Sequence, residues 1–302
     1  MVTTDRDALV PVTTQGPTTL GPTTLGPVPL TLVGGRPPLP EYLRQVWARR
    51  SFIYALARFR IEAENQQNRL GMAWVVLKPL LNAGLYGTIF GVLLASGRPP
   101  HFVEFLVIGV FLFEFFATSF TSGAKSITTN TALVQSLAFP RMALPIAVVL
   151  QRLLQFVPML AIMLAVVAAF GHPVSATWLL LVPLTGLFFL FNTGLALVAA
   201  RLTVHVRDLS NLLPFVTRLT FYMTGIFFSI EQRFADDPLV LRIASFVPLH
   251  EFLTLARGIL LDDPAFEAPP EFWLYASAWS VAVLVVGVLF FWAAEERYGR
   301  TD

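Results

Sequence analysis

The chain has 302 residues, of which 55% are hydrophobic and only 13% are charged. This composition excludes an ordinary soluble protein and is typical of a chain that crosses a membrane several times. The formal net charge of +2 excludes a broad basic surface for nucleic acid, and the lack of cysteine excludes disulfides and cysteine-ligated metal sites.

Residues 1–40 are rich in Thr, Pro and Gly, and the sequence PTTLG occurs twice in succession at 17–26. Such a segment has too few large apolar side chains to form a core. We therefore expect a disordered cytoplasmic tail. It lacks the pattern of a cleaved secretory signal, so we expect it to be retained.

Residues 41–70 contain good helix formers, and Phe52, Leu56, Phe59 and Ala63 fall on one face of a helix. Arginines flank these apolar positions, as in helices that lie in the cytoplasmic membrane interface. The segment predicts an amphipathic helix that lies in the membrane interface. Its candidate functional residues are Trp47, Arg50, Phe52, Arg58 and Arg60.

Six apolar stretches follow, and each approaches the roughly 20 residues that a helix needs to cross about 30 Å of hydrocarbon. They lie at about 73–95, 102–122, 143–170, 177–200, 211–230 and 273–294. The sequence therefore predicts an all-α, six-span transmembrane domain over residues 71–302.

Lys and Arg flanking the spans predict the orientation, because such residues are retained in the cytoplasm. They lie before the first span, between spans two and three, between four and five, and after six: Arg44, Arg49, Arg50, Arg58, Arg60, Arg69, Lys125, Arg141, Arg201, Arg207, Arg297 and Arg300. We expect both termini to lie in the cytoplasm.

On this topology residues 231–272 lie outside the cell, and most of the charges in this segment are acidic. The stretch LRIASFVPLHEFLTLARGILL at 241–261 is apolar but too interrupted for an easy seventh span. It predicts short interfacial or re-entrant helices, whose exposed backbone must be shielded by neighbouring protein.

The chemistry of nucleotide hydrolysis is missing. A phosphate-binding loop needs Gly-Lys followed by Ser or Thr, whereas Lys78 follows Leu and Lys125 follows Ala, and these are the only lysines. We predict no ATP site and no enzyme. Asp236–Pro238 and Asp262–Pro264 are better explained as turns than as metal or sugar-nucleotide ligands. The histidines are widely separated and predict no metal or catalytic site: His101, His172, His205 and His250.

Glu114 is the acidic residue deepest in a predicted span, where charge is costly and often functional. It could line a conduit, contact a second subunit, or pair inside the bundle. Aromatic side chains could line a path for sugars, or could instead face lipid and pack helices. The conduit candidates are Trp74, Tyr86, Phe90, Glu114, Phe221 and Tyr222.

The loop SLAFPRMALPIAVVLQRLL at 136–154 places prolines and arginines between two apolar stretches. It could be a passive turn, or an element on which another protein docks. Pro140 disfavours helix at Phe139 and so predicts a rigid joint.

In order, four stretches resemble the transmembrane subunits of ABC-2-type exporters, especially Wzm-type permeases for cell-surface polysaccharides. They are NRLGMAWVVLKPLL at 68–81, TNTALVQSLAFPRMALPIAVVLQRL at 129–153, HVRDLSNLLPFVTRLTFYMTGIFFS at 205–229 and FVPLHEFLTLARGILL at 246–261. The resemblance covers about 41–298.

This resemblance implies a homodimer with two copies of a separate ATPase subunit, which would bind the ATP and Mg²⁺; no cofactor is expected on this chain. It implies export, across a bacterial plasma membrane, of a lipid-linked glycan such as an O-antigen, a teichoic acid or, favoured by the composition, a galactan precursor. The interfacial helix is the implied gate on the cytoplasmic side. The implied coupling residues are Asn130, Thr131, Leu133, Val134, Gln135, Phe139, Pro140 and Arg141, and the implied external gate is Pro248, His250 and Phe252.

Three other functions stay open at this point. The first is a drug or lipid efflux permease of the same superfamily. The second is an integral-membrane glycosyltransferase or acyltransferase that uses the outer aspartates Asp236, Asp237, Asp262 and Asp263. The third is a structural membrane scaffold.

Overall fold

The computed structural model describes residues 37–66, 71–93, 97–137, 139–295 and 298, so nearly all of the predicted tail lies outside it. The described residues form α-helices joined by short turns and 3-10 helices and contain no β-strand, which confirms the all-α prediction. The helices are α1 (Leu39–Ala48), α2 (Arg50–Gln66), α3 (Ala73–Leu93), α4 (Phe102–Ala124), α5 (Thr131–Ser136), α6 (Ala143–Ala169), α7 (Leu181–His205), α8 (Leu209–Met223), α9 (Ile230–Arg233), α10 (Pro238–Ala244), α11 (Pro248–Leu260) and α12 (Glu271–Trp292).

Five helical segments of the described chain are long and apolar enough to cross a membrane. They are α3, α4, α6, α7 with the 3-10 turn before it, and α12 with the turn before it. These match the predicted spans one to four and six. Uninterrupted apolar runs of this length leave the backbone no better way to satisfy its hydrogen bonds in lipid.

The fifth predicted span, 211–230, is shorter than expected. Helix α8 has 15 residues, or about 22 Å at 1.5 Å per residue. It ends before Gly225, whose φ of +72° is a conformation that glycine adopts most easily and that commonly terminates a helix. The non-helical turn that follows includes the buried Thr224, Ile226 and Phe227, so protein shields its backbone.

The interrupted segment between α8 and α12 forms short helices, as predicted. Helices α10 and α11 meet at 90°, and together they are apolar enough to be one broken span or a re-entrant loop. Pro248 begins α11, and Val247 before it is extended, which is the conformation that a following proline imposes.

Helix α4 occupies the centre of the bundle. Of its most apolar window, 72% is buried within the protein, against 11% for α3. Helices α3, α6, α7, α8 and α11 all pack against α4. The chain therefore leaves much of α3 facing lipid or another protein.

Glycines allow three of these helices to approach closely. A Cβ added to Gly123 in α4 would lie 2.5 Å from the Cβ of Ala196 in α7. A Cβ on Gly194 in α7 would lie 2.5 Å from the carbonyl oxygen of Val283 in α12, and one on Gly287 would collide with the backbone of Gly194. Helices α7 and α12 thus pack backbone against backbone, as small residues permit in membrane helices.

The predicted interfacial helix is two helices, because the chain turns at Arg49 between α1 and α2. The predicted apolar face is not the side that packs on the protein, since Phe59 is 69% exposed. The side of α2 that is buried carries Ile53, Ala57 and Ile61 and packs against α6. The small alanine at its centre lets the two helices approach, and contact of the phenylalanine face with lipid stays a prediction.

Candidate functional site

The predicted coupling segment is a short helix with two unlike sides. In α5 the side chain of Val134 is buried in the apolar cluster that also contains Ile127 and Met142, so we no longer expect Val134 to contact a partner. Leu133 is half-buried against the same cluster. Thr131 and Gln135 are exposed, and so is Leu137 just beyond the helix.

Asn130 holds the turn before α5. Its amide donates to the carbonyl oxygen of Ser126 at 2.6 Å and to the hydroxyl of Thr129 at 3.1 Å. These contacts are local, so they fix the direction in which α5 leaves α4. Asn130 is therefore a structural residue of the segment as well as a predicted coupling residue.

The Phe-Pro-Arg sequence connects the coupling segment to the interfacial helices. The ring of Phe139 lies 5.4 Å from that of Phe52 on α2, which brings a predicted coupling residue against a predicted gate residue. Pro140 is buried, and its carbonyl oxygen accepts the amide of Ala143 at the start of α6. A cavity of about 280 Å³ opens beside the two rings and is lined by Arg49, Phe52, Leu137 and Phe139.

Arg141 points into the protein and pairs with Glu295, just beyond α12. Its guanidinium donates to the carbonyl oxygen of Glu295 at 2.9 Å and lies 3.6 Å from the carboxylate. The other carboxylate oxygen accepts the hydroxyl of Tyr42 on α1 at 2.7 Å. Burial raises the pKa of Glu295, although the bonds from Tyr42 and Arg141 oppose that rise.

Sequence reasoning missed Tyr42 and Glu295. Both are buried, at 1% and 6% exposure, although they lie 253 positions apart in the chain. A buried tyrosine and glutamate outside the apolar spans have no local signal that pairs them. A hint was present in Glu295 itself, an acid placed directly after a span where basic residues are usual.

The other predicted gate residues divide between solvent and protein. Trp47 is 71% exposed, and the guanidinium of Arg50 lies 5.8 Å from its ring centre. Arg58 is exposed and pairs with Glu62 one turn further along α2. Arg60 is half-buried, and burial together with the nearby Arg152 lowers its pKa.

The last turn of α2 is anchored to the bundle by a bidentate ion pair. Arg152 of α6 donates to both carboxylate oxygens of Glu64, at 2.9 and 3.1 Å. Gln155 also donates to Glu64 at 3.0 Å, and Arg152 reaches the hydroxyl of Ser122 on α4. Burial raises the pKa of Glu64, but Arg152 and these hydrogen bonds outweigh it and lower the pKa overall.

We expect Arg152→Ala to loosen the end of α2, because it removes the two charge-assisted hydrogen bonds from Arg152 to the carboxylate of Glu64. The loss should be about 1 to 2 kcal/mol, since the pair is partly exposed, and amide exchange over residues 60–66 should accelerate on the order of 10-fold. Hydrogen–deuterium exchange with mass spectrometry on the purified protein measures this change.

The matched control is Arg58→Ala, which removes an exposed ion pair within α2 itself. Such a pair contributes only about 0.3 to 0.5 kcal/mol, so exchange should change less than about threefold. Equal acceleration in the two variants would contradict the anchoring role of Arg152.

Two of the conduit candidates meet at a cavity of about 190 Å³ next to this ion pair. Trp74 and Glu114 line it, together with Lys78, Glu64 and Arg152. The cavity lies between the end of α2 and helices α3, α4 and α6. It therefore presents basic groups, acidic groups and an aromatic ring where the interfacial helix meets the spans.

The remaining conduit candidates form one aromatic cluster between α3 and the end of α8. Phe221 packs on Tyr86 at 5.2 Å, Phe90 stacks on Phe227 at 4.0 Å, and Tyr222 lies 6.0 Å from Phe227. Phe227 is buried at the centre of this cluster and was not among the predicted residues. The six conduit candidates therefore lie at two separate sites, the cavity at the end of α2 and the aromatic cluster between α3 and α8.

At the predicted external gate, the structure separates the three residues. Pro248 begins α11, whereas Phe252 is fully buried and packs on Phe188 and Phe191 of α7. Phe252 therefore holds α11 on the bundle and does not border an opening.

His250, the third gate candidate, is buried and its Nε2 lies 2.9 Å from the carboxylate of Glu231. The hydroxyl of Ser229 donates to the other oxygen of Glu231 at 2.7 Å. Burial would raise the pKa of Glu231, but these hydrogen bonds outweigh it and lower the pKa to about 2. The contact between His250 and Glu231 ties α9 to α11 on the predicted outer side.

Two histidines that looked unrelated in the sequence meet at Glu104. The carboxylate of Glu104 lies 3.5 Å from Nδ1 of His101 and 3.5 Å from Nε2 of His172. The amide of Asp262 donates to Nδ1 of His172, so the neutral ring carries its proton on Nε2, and a protonated nitrogen cannot bind a metal. The geometry places two imidazole rings beside one buried carboxylate, and the predicted lack of a metal site stays a prediction.

The Asp-Pro sequences behave as turns. A carboxylate oxygen of Asp237 accepts the amides of Leu239 and Val240 at the start of α10. The carboxylate of Asp263 accepts the amide of Ala265 in the same way. Both are N-caps, which gives these acids a structural role and weakens the glycosyltransferase alternative.

Comparison with known proteins places the described geometry in context. Residues 52–261 match the family described as ABC-2 type transporter. The O-antigen export system permease protein RfbA of Myxococcus xanthus is 26% identical over 258 residues, which cover 85% of this chain and 94% of that protein. Two Klebsiella pneumoniae proteins of the same name are 26% and 28% identical and align over 66% and 62% of their own length.

Proposed function

Because the chain belongs to the ABC-2 type transporter family, we propose that it is the transmembrane subunit of an ATP-driven exporter of a lipid-linked cell-surface polysaccharide. The similarity to an O-antigen export permease along 94% of that protein's length carries the proposal. The chain would sit in the bacterial plasma membrane with both termini in the cytoplasm, as the flanking basic residues predict.

The ATPase would be a separate subunit that docks on α5. The exposed Thr131, Gln135 and Leu137 would form the contact, and the cavity beside Phe52 and Phe139 would receive an apolar side chain of the partner. The buried Val134 would keep α5 attached to the bundle, so a push on the exposed side moves α5 and the start of α6 together. ATP and Mg²⁺ would bind to the partner alone.

A second copy of the chain would complete the conduit. Support comes from α3 and α8, whose apolar residues are widely exposed in the single chain: Leu81, Leu85, Ile89, Leu212, Phe215 and Leu219. The aromatic cluster around Phe227 lies between these helices, so in a homodimer it would lie near the subunit boundary. Aromatic faces there would let sugar rings slide without fixed binding sites.

The glycan would start from the cytoplasmic leaflet beside α2. In the cavity between α2 and the spans Arg152 is paired with Glu64, and the cationic Lys78 and the aromatic Trp74 lie near that boundary. Such a combination suits an anionic lipid head group followed by a sugar. Among cell-surface glycans we favour a galactan precursor, because the use of Ala, Val, Arg and Pro is typical of a GC-rich bacterium.

The proposal is tested by purifying the protein in mild detergent from its own host and identifying what accompanies it by mass spectrometry. We expect a stoichiometric ATPase subunit, a dimer of this chain and a polyprenyl-linked or other lipid-linked glycan. An unrelated multi-span protein purified in parallel controls for lipids that adhere to any membrane protein.

Other results would contradict parts of the proposal. A bound drug-like amphiphile or a simple lipid, with the ATPase present, would favour the efflux permease alternative. A homomeric protein without an ATPase would exclude the exporter and direct attention to glycosyl or acyl transfer.

A further inference from the structure

The start of α6 has no cap of its own. The first amides of a helix have no partner within it and usually bind a side chain directly before the helix. Here Met142 precedes α6 and no local side chain caps the helix. Instead, the first two amides of α6, those of Ala143 and Leu144, donate to the carbonyl oxygens of Pro140 and Arg141 in the preceding turn. The amides of that turn bind distant side chains: Met142 donates to the hydroxyl of Tyr42 at 3.2 Å, and Arg141 donates to the carboxylate of Glu295 at 3.1 Å. We call Tyr42 and Glu295 the distant caps of this turn.

The two distant caps are bonded to each other. The Tyr42 hydroxyl donates its single proton to Glu295 at 2.7 Å while it accepts from Met142, so its hydrogen-bonding capacity is fully used in a nearly solvent-free place. Glu295 also receives the guanidinium of Arg141 on its carbonyl oxygen. We call this set, Tyr42, Arg141, Met142 and Glu295, the three-way joint.

Further contacts tie the same three parts of the chain together. The indole nitrogen of Trp292 in α12 donates to the carbonyl oxygen of Pro37, directly before α1, at 3.0 Å. The rings of Phe52 and Phe139 join α2 to the coupling segment. Helix α1, the coupling segment and the end of α12 therefore share one apolar cluster with a polar centre.

A buried polar centre of this kind favours movement as a unit. Displacing Arg141 from α12 would break bonds to the carboxylate and the carbonyl oxygen of Glu295 and leave a buried carboxylate short of partners, which is costly. Displacing α1 would in turn leave the amide of Met142 unpaired. When α5 is displaced, moving α1 and the end of α12 with it therefore costs less free energy than breaking the contacts of the joint.

We propose that Tyr42 and Glu295 are positioning residues that carry the movement of the coupling segment to α1 and to the end of α12 at the same time. This inference rests on the proposed function, because it assumes an ATPase that moves α5. It assigns the interfacial helix a mechanical input separate from its contacts with lipid and from the Glu64–Arg152 ion pair.

The first measurement is amide exchange at the start of α6 in the purified wild-type chain and in Tyr42→Phe. The variant keeps the ring and removes the acceptor for Met142, so exchange at residues 141–142 should accelerate by about tenfold. The matched control is Tyr298→Phe, a buried tyrosine of the same cluster whose hydroxyl bonds only to the carbonyl oxygen of Phe291 in the described structure. It should leave this exchange unchanged.

The second measurement is made on the complex with the co-purified ATPase. For Tyr42→Phe and Glu295→Gln we expect hydrolysis of Mg·ATP within about twofold of wild type and an export defect on the order of 10-fold. Export is followed in host cells depleted of the wild-type chain, as the amount of lipid-linked glycan that accumulates inside. The double variant should be no worse than either single one, because the two groups act as one unit.

Normal export in Glu295→Gln, or equal defects in Tyr42→Phe and Tyr298→Phe, would overturn the inference even if the wild type exports glycan. A wild type that neither binds an ATPase nor exports glycan would overturn the proposed function, and the inference with it. Accelerated exchange at residues 141–142 would still show in that case that the distant cap exists, so the two failures are distinguishable.

Discussion

Replacing Gly287 with leucine is expected to prevent the chain from folding. Gly287 in α12 and Gly194 in α7 face each other, and a Cβ at Gly287 would collide with the backbone of Gly194. A flexible side chain can move away from an added atom, but a helix backbone can yield only by separating the two helices. That separation would remove the largest helix–helix contact of the bundle.

The size of this effect follows from packing. Adding bulk to a well-packed core typically costs about 1 to 3 kcal/mol, and a collision with backbone should reach or exceed the upper end. Such a loss is a large share of the stability of a folded domain. We expect loss of the monodisperse peak in fluorescence-detected size-exclusion chromatography of the tagged protein.

The control for this prediction is Gly186→Leu in α7, because nothing lies within 4 Å of a Cβ added there. The two variants have the same change in side chain and the same gain in hydrophobicity. Comparable peaks for Gly287→Leu and Gly186→Leu would show that the close approach of α7 and α12 is not needed for folding.

Leu137→Asp is expected to separate the chain from the proposed ATPase partner. Leu137 is 53% exposed beside the cavity formed with Phe52 and Phe139, so a partner docked on α5 would bury it. An uncompensated carboxylate in such a contact should cost about 2 kcal/mol or more, which corresponds to binding weaker on the order of 30-fold. Export should fall in parallel, because an undocked ATPase cannot move the coupling segment.

The amount of ATPase retained on the immobilised permease measures this prediction, and surface glycan measures its consequence. Val174→Asp is the matched control, because Val174 is 74% exposed on the loop at the other end of α6. Full retention of the ATPase by Leu137→Asp, or equal loss in both variants, would contradict docking on this surface.

The spans could be predicted from the sequence because long apolar runs admit only one solution in lipid, a helix. The joint before α6 could also be predicted, because Pro140 interrupts helix formation between two such runs, whereas its role in coupling stays a prediction. Helix α8 was overestimated, since the apolar residues after Met223 continue past a glycine that ends the helix and turn inward. Hydropathy measures the environment of those residues correctly but does not distinguish a helix from a buried turn.

The contacts that organise the predicted cytoplasmic end could not be predicted from the sequence. Glu64 finds Arg152, and Tyr42 finds Glu295, across separations of 88 and 253 positions. In the sequence, each of these four residues resembles an ordinary polar side chain at the membrane interface. Glu64 meets Arg152 because α2 packs on α6 at the small residue Ala57. Tyr42 meets Glu295 because α1 packs on the end of α12.

The short length of α8 also matters for the lipid around it. Where α8 is not covered by a second copy of the chain, its apolar wall of about 22 Å would meet acyl chains that otherwise span about 30 Å, and such a hydrophobic mismatch would draw the two leaflets together locally. A polar head group that travels past α8 would therefore cross a thinner barrier than it would beside α6 or α12. The glycine that ends this helix would thus shape the bilayer as well as the protein.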